Sequence, residues 1–192
     1  MISSSGIKEK TQEILKPFAK GLGNLGISPN TVTLTGFLLS AVSGYFLSTG
    51  SLITGTITLI FSGLCDVFDG ILARTTERTT KRGAFLDSFL DRYADFFPLA
   101  GLLYLGHRTG SEILLLSSLF SIIGSFSTSY ARARAESLGI DCKIGLLERP
   151  ERIILMIAGL ISGFVEESLF LLAVLSNFTA LQRLSCVLRS SD

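Results

Sequence analysis

Asp66-Val67-Phe68-Asp69-Gly70-Ile71-Leu72-Ala73-Arg74 and Gly83-Ala84-Phe85-Leu86-Asp87-Ser88-Phe89-Leu90-Asp91 stand eight residues apart, each joined to a long apolar run. An ionised side chain at the centre of a membrane helix costs roughly 2.5–3.5 kcal/mol on insertion scales. Four carboxylates retained at such places need a reason. Asp66 and Asp69 are three residues apart and Asp87 and Asp91 four, so each pair shares one helix face. Two adjacent helices with a short connection bring the pairs together. Converging carboxylates repel one another unless cations neutralise them. An oxygen-only donor set favours Mg²⁺ or Mn²⁺ over zinc. Two such ions about 3.5–4 Å apart clamp a phosphoryl group and its leaving oxygen. The competing reading, interfacial aspartates or salt-bridge partners, suits a single residue better than four in register.

Outward from this stretch the chain is 47% apolar and 17% charged, a balance that belongs to a membrane rather than to water. Six segments approach spanning length: Asn30–Thr49, Ser51–Ala73, Ala84–Gly106, Ile113–Arg134, a short one from Glu151 to Phe164, and Glu167–Leu188. The expected fold is all-α and integral to the membrane, one domain over residues 1–192 with a six-helix bundle over 30–188. Before it, Ile7, Ile14, Leu15, Phe18 and Leu22 recur at helical spacing against Lys8, Lys10, Lys16 and Lys20. That pattern predicts an amphipathic interfacial helix over Ile7–Leu22, kinked at Pro17.

Lysine and arginine crowd the segments before span one, between spans two and three, between four and five, and at the end of span six. The opposite loops hold only Arg108 among strong cations. The positive-inside rule then puts both termini and the acidic face in the cytoplasm of a multi-pass protein of the cell membrane. A net charge of +1 provides no basic field for nucleic acid. Lone His107 falls in an outer loop, away from the acids. The three cysteines, Cys65, Cys142 and Cys186, match no metal motif and imply no disulfide framework; Cys65 and Cys186 read as small buried hydrophobes.

The pattern Asp66-x2-Asp69-Gly70-x2-Ala73-Arg74-x8-Gly83-x3-Asp87-x3-Asp91 resembles, at every fixed position, the signature of the CDP-alcohol phosphotransferase family. The resemblance implies an enzyme that moves a lipid-phosphate group from a CDP-lipid to an alcohol and releases CMP. Asp66, Asp69, Asp87 and Asp91 would hold two Mg²⁺ or Mn²⁺ ions, and Asp91 would also take the acceptor's proton. Asp66, Asp69, Gly70, Ala73, Arg74 and Gly83 would receive the nucleotide. Asn30, in the run Ile27-Ser28-Pro29-Asn30-Thr31-Val32-Thr33, caps a helix or adds a polar group near it. The small residues admit close approach to backbone, although small residues also serve helix packing. A homodimer is expected from the family.

Tyr130-Ala131-Arg132-Ala133-Arg134-Ala135-Glu136 and Glu148-Arg149-Pro150-Glu151-Arg152 form a second charged cluster. Guanidinium forks suit a phosphate monoester, while positive-inside signalling and lipid headgroup contact explain such arginines equally simply. Here the chain resembles the archaetidylinositol-phosphate and phosphatidylinositol-phosphate synthases. That resemblance implies inositol 1-phosphate as acceptor, with Arg132, Arg134, Arg152 and Arg183 on its phosphate, and CDP-archaeol as the favoured donor. CDP-diacylglycerol is the alternative donor; glycerol phosphate, serine or a soluble inositol phosphate are alternative acceptors. An ion or proton transporter is the alternative outside enzymology, and it would show a repeat or broken helices at mid-membrane.

Overall fold

A computed structural model describes residues 17, 21, 26–76 and 79–190 of the chain. The interfacial helix expected over Ile7–Leu22 lies outside the described residues, Pro17 and Gly21 apart. Six helices follow: α1 (Pro29–Ser48), α2 (Leu52–Thr75), α3 (Lys81–Thr109), α4 (Glu112–Ser137), α5 (Arg149–Ser162) and α6 (Val165–Arg189). Each coincides with one of the six apolar segments. Local chemistry ends them where the sequence changes. Ser111 caps α4 by accepting from the Leu114 N–H at 3.1 Å and donates its own proton to Glu166. Pro150 sits in the first turn of α5, where its missing N–H costs nothing, and Gly163 closes that helix in the left-handed region.

Four of the helices, α1, α2, α4 and α6, are long and apolar enough to cross a membrane. The expectation of six such spans is met only to that extent. Helix α3 has 29 residues, about 44 Å of rise, but its first half carries Lys81, Arg82, Asp87, Asp91, Arg92 and Asp95. Helix α5 has 14 residues, about 21 Å, short of a hydrocarbon core of about 30 Å.

Contacts gather the chain into two compact units, Met1–Leu39 with Ile60–Ala94, and Ser40–Leu59 with Asp95–Asp192. In the first, α1 and α2 touch at Gly36. A Cβ there would come within 2.9 Å of the Cys65 Cβ, and the Ser62 hydroxyl donates to the Gly36 carbonyl at 2.8 Å. Val32, Ile71 and Leu72 form the adjacent apolar core. This packing sets the start of α1 beside the acidic end of α2.

In the second unit α1 packs tightly on α3, where a Cβ at Gly101 would collide with the Gly44 carbonyl oxygen. Helices α4 and α6 meet along small polar residues. The Thr128 hydroxyl donates to the Ser176 carbonyl at 2.9 Å, and Asn177 Nδ2 to the Phe120 carbonyl at 2.8 Å. Buried Ser117, Ser118, Ser121 and Ser125 line the same seam. Outward, the large side chains are exposed: Ile53 (79%), Ile57, Phe61 and Leu64 along α2, and Phe170, Val174, Phe178 and Leu181 along α6. A continuous face of exposed bulky apolar groups, over an interior that mixes buried leucines with small polar groups, fits a protein whose solvent is lipid.

Cysteine usage departs from expectation. Cys142 and Cys186 form a disulfide across 44 residues, and Cys65 alone is a free thiol. Sequence spacing hid the pairing because it depends on the α4–α5 connection lying back on α6.

Gly101→Ala should break the α1–α3 approach. Because the added methyl meets backbone, the cost should reach about 1–3 kcal/mol and appear as a lower unfolding midpoint in detergent. Ile53→Ala, on the outer face, should stay within about 0.5 kcal/mol of the parent. An unchanged midpoint for Gly101→Ala contradicts this packing.

Candidate active site

The last three turns of α2 carry Asp66, Asp69, Gly70, Ala73 and Arg74; the first three of α3 carry Gly83, Asp87 and Asp91. Thr80 sets the start of α3, its hydroxyl accepting from the Gly83 N–H at 2.9 Å. Oxygens of Asp66, Asp69 and Asp87 then fall within 4.8 Å of one another. Two unit charges at that separation repel by roughly 3–4 kcal/mol at an effective dielectric constant of about 20. Asp69 is only 5% exposed, so water relieves little of this. The donor set is all oxygen, anionic and drawn from two helices, which fits a hard divalent cation such as Mg²⁺ or Mn²⁺. The metal reading of these three residues thus has its geometry. Asp91 lies one turn beyond Asp87, outside that triad, with Oδ2 3.7 Å from the Arg92 guanidinium.

A residue that sequence reasoning passed over completes the acidic site. The Thr33 hydroxyl, on α1, donates to Asp69 Oδ2 at 2.6 Å and also lies 3.1 Å from the Pro29 carbonyl. It holds the most buried aspartate in place beside Asp66 and Asp87. Its signal was its place in the Ile27–Thr33 run, but only the fold shows which aspartate it meets.

An open cleft of about 160 Å³ adjoins the triad. Asp69, Gly70, Ala73 and Arg74 line it from α2, Gly83 and Asp87 from α3, and Asn30 and Thr33 from α1. Every residue expected to receive the nucleotide except Asp66 is therefore on this wall. The glycines open it for different reasons. At Gly83 a Cβ would press to 3.0 Å on Thr80 Oγ1 and 3.3 Å on Asn30 Oδ1. At Gly70 a Cβ would lie 3.5 Å from the Arg74 guanidinium, which folds back over that turn. The cleft thus joins anionic oxygens to one adjacent guanidinium, an arrangement suited to a metal-bound diphosphate.

The second unit holds the arginines expected to meet the acceptor's phosphate. Asp95, buried on α3, accepts from Arg149 Nε at 2.9 Å and from Arg152 Nη2 at 2.8 Å, one on each carboxylate oxygen. Arg152 is 4% exposed. Glu148, the residue before α5, brings Arg132 and Arg183 together, its Oε1 lying 3.9 Å from one guanidinium and 3.8 Å from the other. Arg183 also donates to the Ile144 carbonyl at 2.9 Å and the Thr128 carbonyl at 2.8 Å, so it anchors a loop as well as offering charge. Arg134 is set apart: it is exposed and turns to Ser137 Oγ at 3.3 Å. Asp95, Glu148 and Arg149 had no role assigned from sequence. A carboxylate four residues past Asp91 and an arginine beside Pro150 were the available signals; their pairing spans 54 residues.

Asp66→Asn, Asp69→Asn and Asp87→Asn should each weaken Mn²⁺ binding, followed by calorimetry or electron paramagnetic resonance, by tenfold or more (roughly ≥1.4 kcal/mol for each lost anionic ligand). Thr33→Val should also weaken it, since a hydrogen bond to a charged group contributes about 1.5–3 kcal/mol. Undiminished Mn²⁺ affinity in any two of the asparagine variants contradicts the metal reading.

Comparison with known proteins places the chain in a family. The profile of the CDP-alcohol phosphatidyltransferase family matches residues 26–181. The archaetidylinositol phosphate synthase of Methanothermobacter thermautotrophicus is 41% identical over 166 residues, covering 83% of either chain. The crystal structure of Mycobacterium tuberculosis phosphatidylinositol phosphate synthase with CDP-DAG bound superposes with a TM-score of 0.84 at 33% identity, over 92% of this chain and 94% of that one. The same enzyme in complex with manganese and citrate gives 0.81 at 33% identity, over 91% and 88%. With the acidic signature complete and the match running over most of its length, the chain belongs to the CDP-alcohol phosphatidyltransferase family and is a phosphotransferase.

Proposed function

We propose that this enzyme transfers the lipid-phosphate group of CDP-archaeol to 1L-myo-inositol 1-phosphate, releasing CMP and forming archaetidylinositol phosphate. The observation that carries the acceptor is the paired arginine set, Arg149 and Arg152 on Asp95 and Arg132 and Arg183 at Glu148. Five N–H donors per guanidinium, held by the buried Asp95 and the half-buried Glu148, suit a phosphate monoester. The relative named for archaetidylinositol phosphate synthesis supports the donor. In this reading Arg132, Arg152 and Arg183 take the acceptor's phosphate, and Arg134 contributes only long-range charge.

Asp66, Asp69 and Asp87 would hold the divalent ions, with Asp91 completing the set. Bound there, such ions neutralise the diphosphate and stabilise the leaving phosphate. Asp91 accepts the proton of the attacking hydroxyl; that oxygen bonds to the lipid-side phosphorus as the bond from phosphorus to the CMP oxygen breaks. Arg74 faces the diphosphate, and Gly70, Ala73, Gly83 and Asn30 leave room for the nucleotide. Lysine and arginine placement supports a multi-pass protein with both termini and the reaction on the cytoplasmic side. A homodimer belongs to the same reading, on the strength of the family alone.

The test uses purified protein, labelled CDP-archaeol and CDP-diacylglycerol in parallel, and inositol 1-phosphate, inositol, glycerol 3-phosphate and serine as acceptors. Inositol 1-phosphate with CDP-archaeol should give the highest kcat/KM. Arg152→Ala should raise the acceptor KM by tenfold or more, as expected for loss of a charge-assisted hydrogen bond of about 1.5–3 kcal/mol, and leave the donor KM in place. Asp91→Asn should lower kcat by about 10²–10⁴. Preference for CDP-diacylglycerol would reassign the donor. Equal use of unphosphorylated inositol, or equal movement of both KM values, would reject the phosphate pocket.

A further inference from the structure

The connection between α4 and α5, residues 138–148, lies along one stripe of α6. Thr179, Arg183 and Cys186 recur at spacings of four and three, which places them on one helical face. Each holds the connection at a different point. The Thr179 hydroxyl accepts from the Leu147 N–H at 3.2 Å. Arg183 Nε donates to the Ile144 carbonyl at 2.9 Å. Cys186 is bonded to Cys142. Gly145 permits the approach: a Cβ there would lie 2.6 Å from Thr179 Cγ2, and its φ of 152° disfavours a side chain. This stapled segment ends at Glu148, between Arg132 and Arg183, and directly after it come Arg149 and Arg152 on Asp95.

We propose that the Cys142–Cys186 disulfide is a positioning staple for the acceptor side of the reaction, and that its reduction lowers affinity for the phosphorylated alcohol while the CDP-lipid side is unchanged. The proposal rests on the reading of the arginine set as the acceptor's phosphate site. The two hydrogen bonds to Thr179 and Arg183 are non-covalent and fix only Ile144 and Leu147. The disulfide is the covalent tie at the other end of the segment, next to exposed Asp141 and Lys143, which pair with each other at 3.0 Å. Without it the segment keeps its hydrogen bonds to Thr179 and Arg183 and the Glu148 ion pairs but gains freedom at Cys142, so Glu148 and the start of α5 are held less closely. The acidic cleft, built on other residues, has no such dependence.

A dithiol reductant supplies the chemistry. Its thiolate attacks the half-buried Cys186 Sγ, and the 3% exposed Cys142 leaves as a thiolate and takes a proton. The second thiol of the reductant then displaces Cys186 as a thiol and closes the reductant's own disulfide. Two electrons pass to the cysteine pair, and air or an added disulfide reverses the step.

Alkylation of the denatured protein followed by intact mass should label one cysteine without reduction and three with it. Hydrogen exchange over residues 138–148 should quicken on mild reduction with dithiothreitol and in the Cys142→Ser/Cys186→Ser variant. In both, the KM for inositol 1-phosphate should rise about fivefold to tenfold, the scale of one weakened charged hydrogen bond. The KM for CDP-lipid should hold, reoxidation should restore the reduced wild type, and the double variant should ignore dithiothreitol. Three free cysteines in the protein as purified, unchanged loop exchange, an unmoved acceptor KM, or equal movement of both KM values would each overturn the staple. If the wild type does not use inositol 1-phosphate at all, the proposed acceptor is wrong; the staple is then judged on loop exchange and on the KM of the phosphorylated alcohol that is used.

Discussion

Mutual repulsion among three carboxylates is the constraint around which the first unit is arranged. Oxygens of Asp66, Asp69 and Asp87 within 4.8 Å of one another are unfavourable in any low-dielectric setting unless a cation joins them. The local structure accepts that cost in several ways at once. Gly36 lets α1 approach α2 closely enough for Thr33 to donate to Asp69. Thr80 caps α3 so that Asp87 arrives on the facing wall. Gly70, Ala73 and Gly83 keep bulk out of the cleft. Such groups are retained for what they bind, since apolar side chains would pack the same helices at lower cost.

The second unit solves a different problem, holding guanidinium groups inside a helical membrane protein. Asp95 and Glu148 each serve two arginines, so the buried guanidinium groups of Arg152 and Arg183 each have a carboxylate nearby. Removing Asp95 would leave two cations at the start of α5 without their shared anion. The Ser121 and Thr128 hydroxyls on α4 donate to the Leu169 and Ser176 carbonyls of α6, which satisfies those hydroxyls where the two helices meet closely. The interior therefore mixes small polar groups with a buried leucine core that includes Leu102, Leu169 and Leu172, while Phe170 and Phe178 of α6 face outward.

Much of this was legible in the chain. The six helices fall where apolar runs and their breaks put them, and the acidic residues followed from helical spacing and the cost of charge in lipid. What was not legible is long-range. Thr33 meets Asp69 across 36 residues, Arg152 meets Asp95 across 57, and Cys142 meets Cys186 across 44. None of those partners is implied by local periodicity, because each depends on which helix face a loop lies against. The same limit explains Arg134, which shares a run with Arg132 but turns to Ser137 on its own helix. Residues two apart on a helix face in different directions, and the sequence run alone does not say which of them meets Glu148.

The account is tested most directly by following both products of one reaction mixture: labelled CMP and labelled lipid, from CDP-archaeol with inositol 1-phosphate, before and after chelation of divalent ions. The account predicts equal amounts of CMP and archaetidylinositol phosphate, loss of both on chelation, and recovery of both on adding Mn²⁺ or Mg²⁺. CMP released without the lipid product, or turnover that persists after exhaustive chelation, would contradict it.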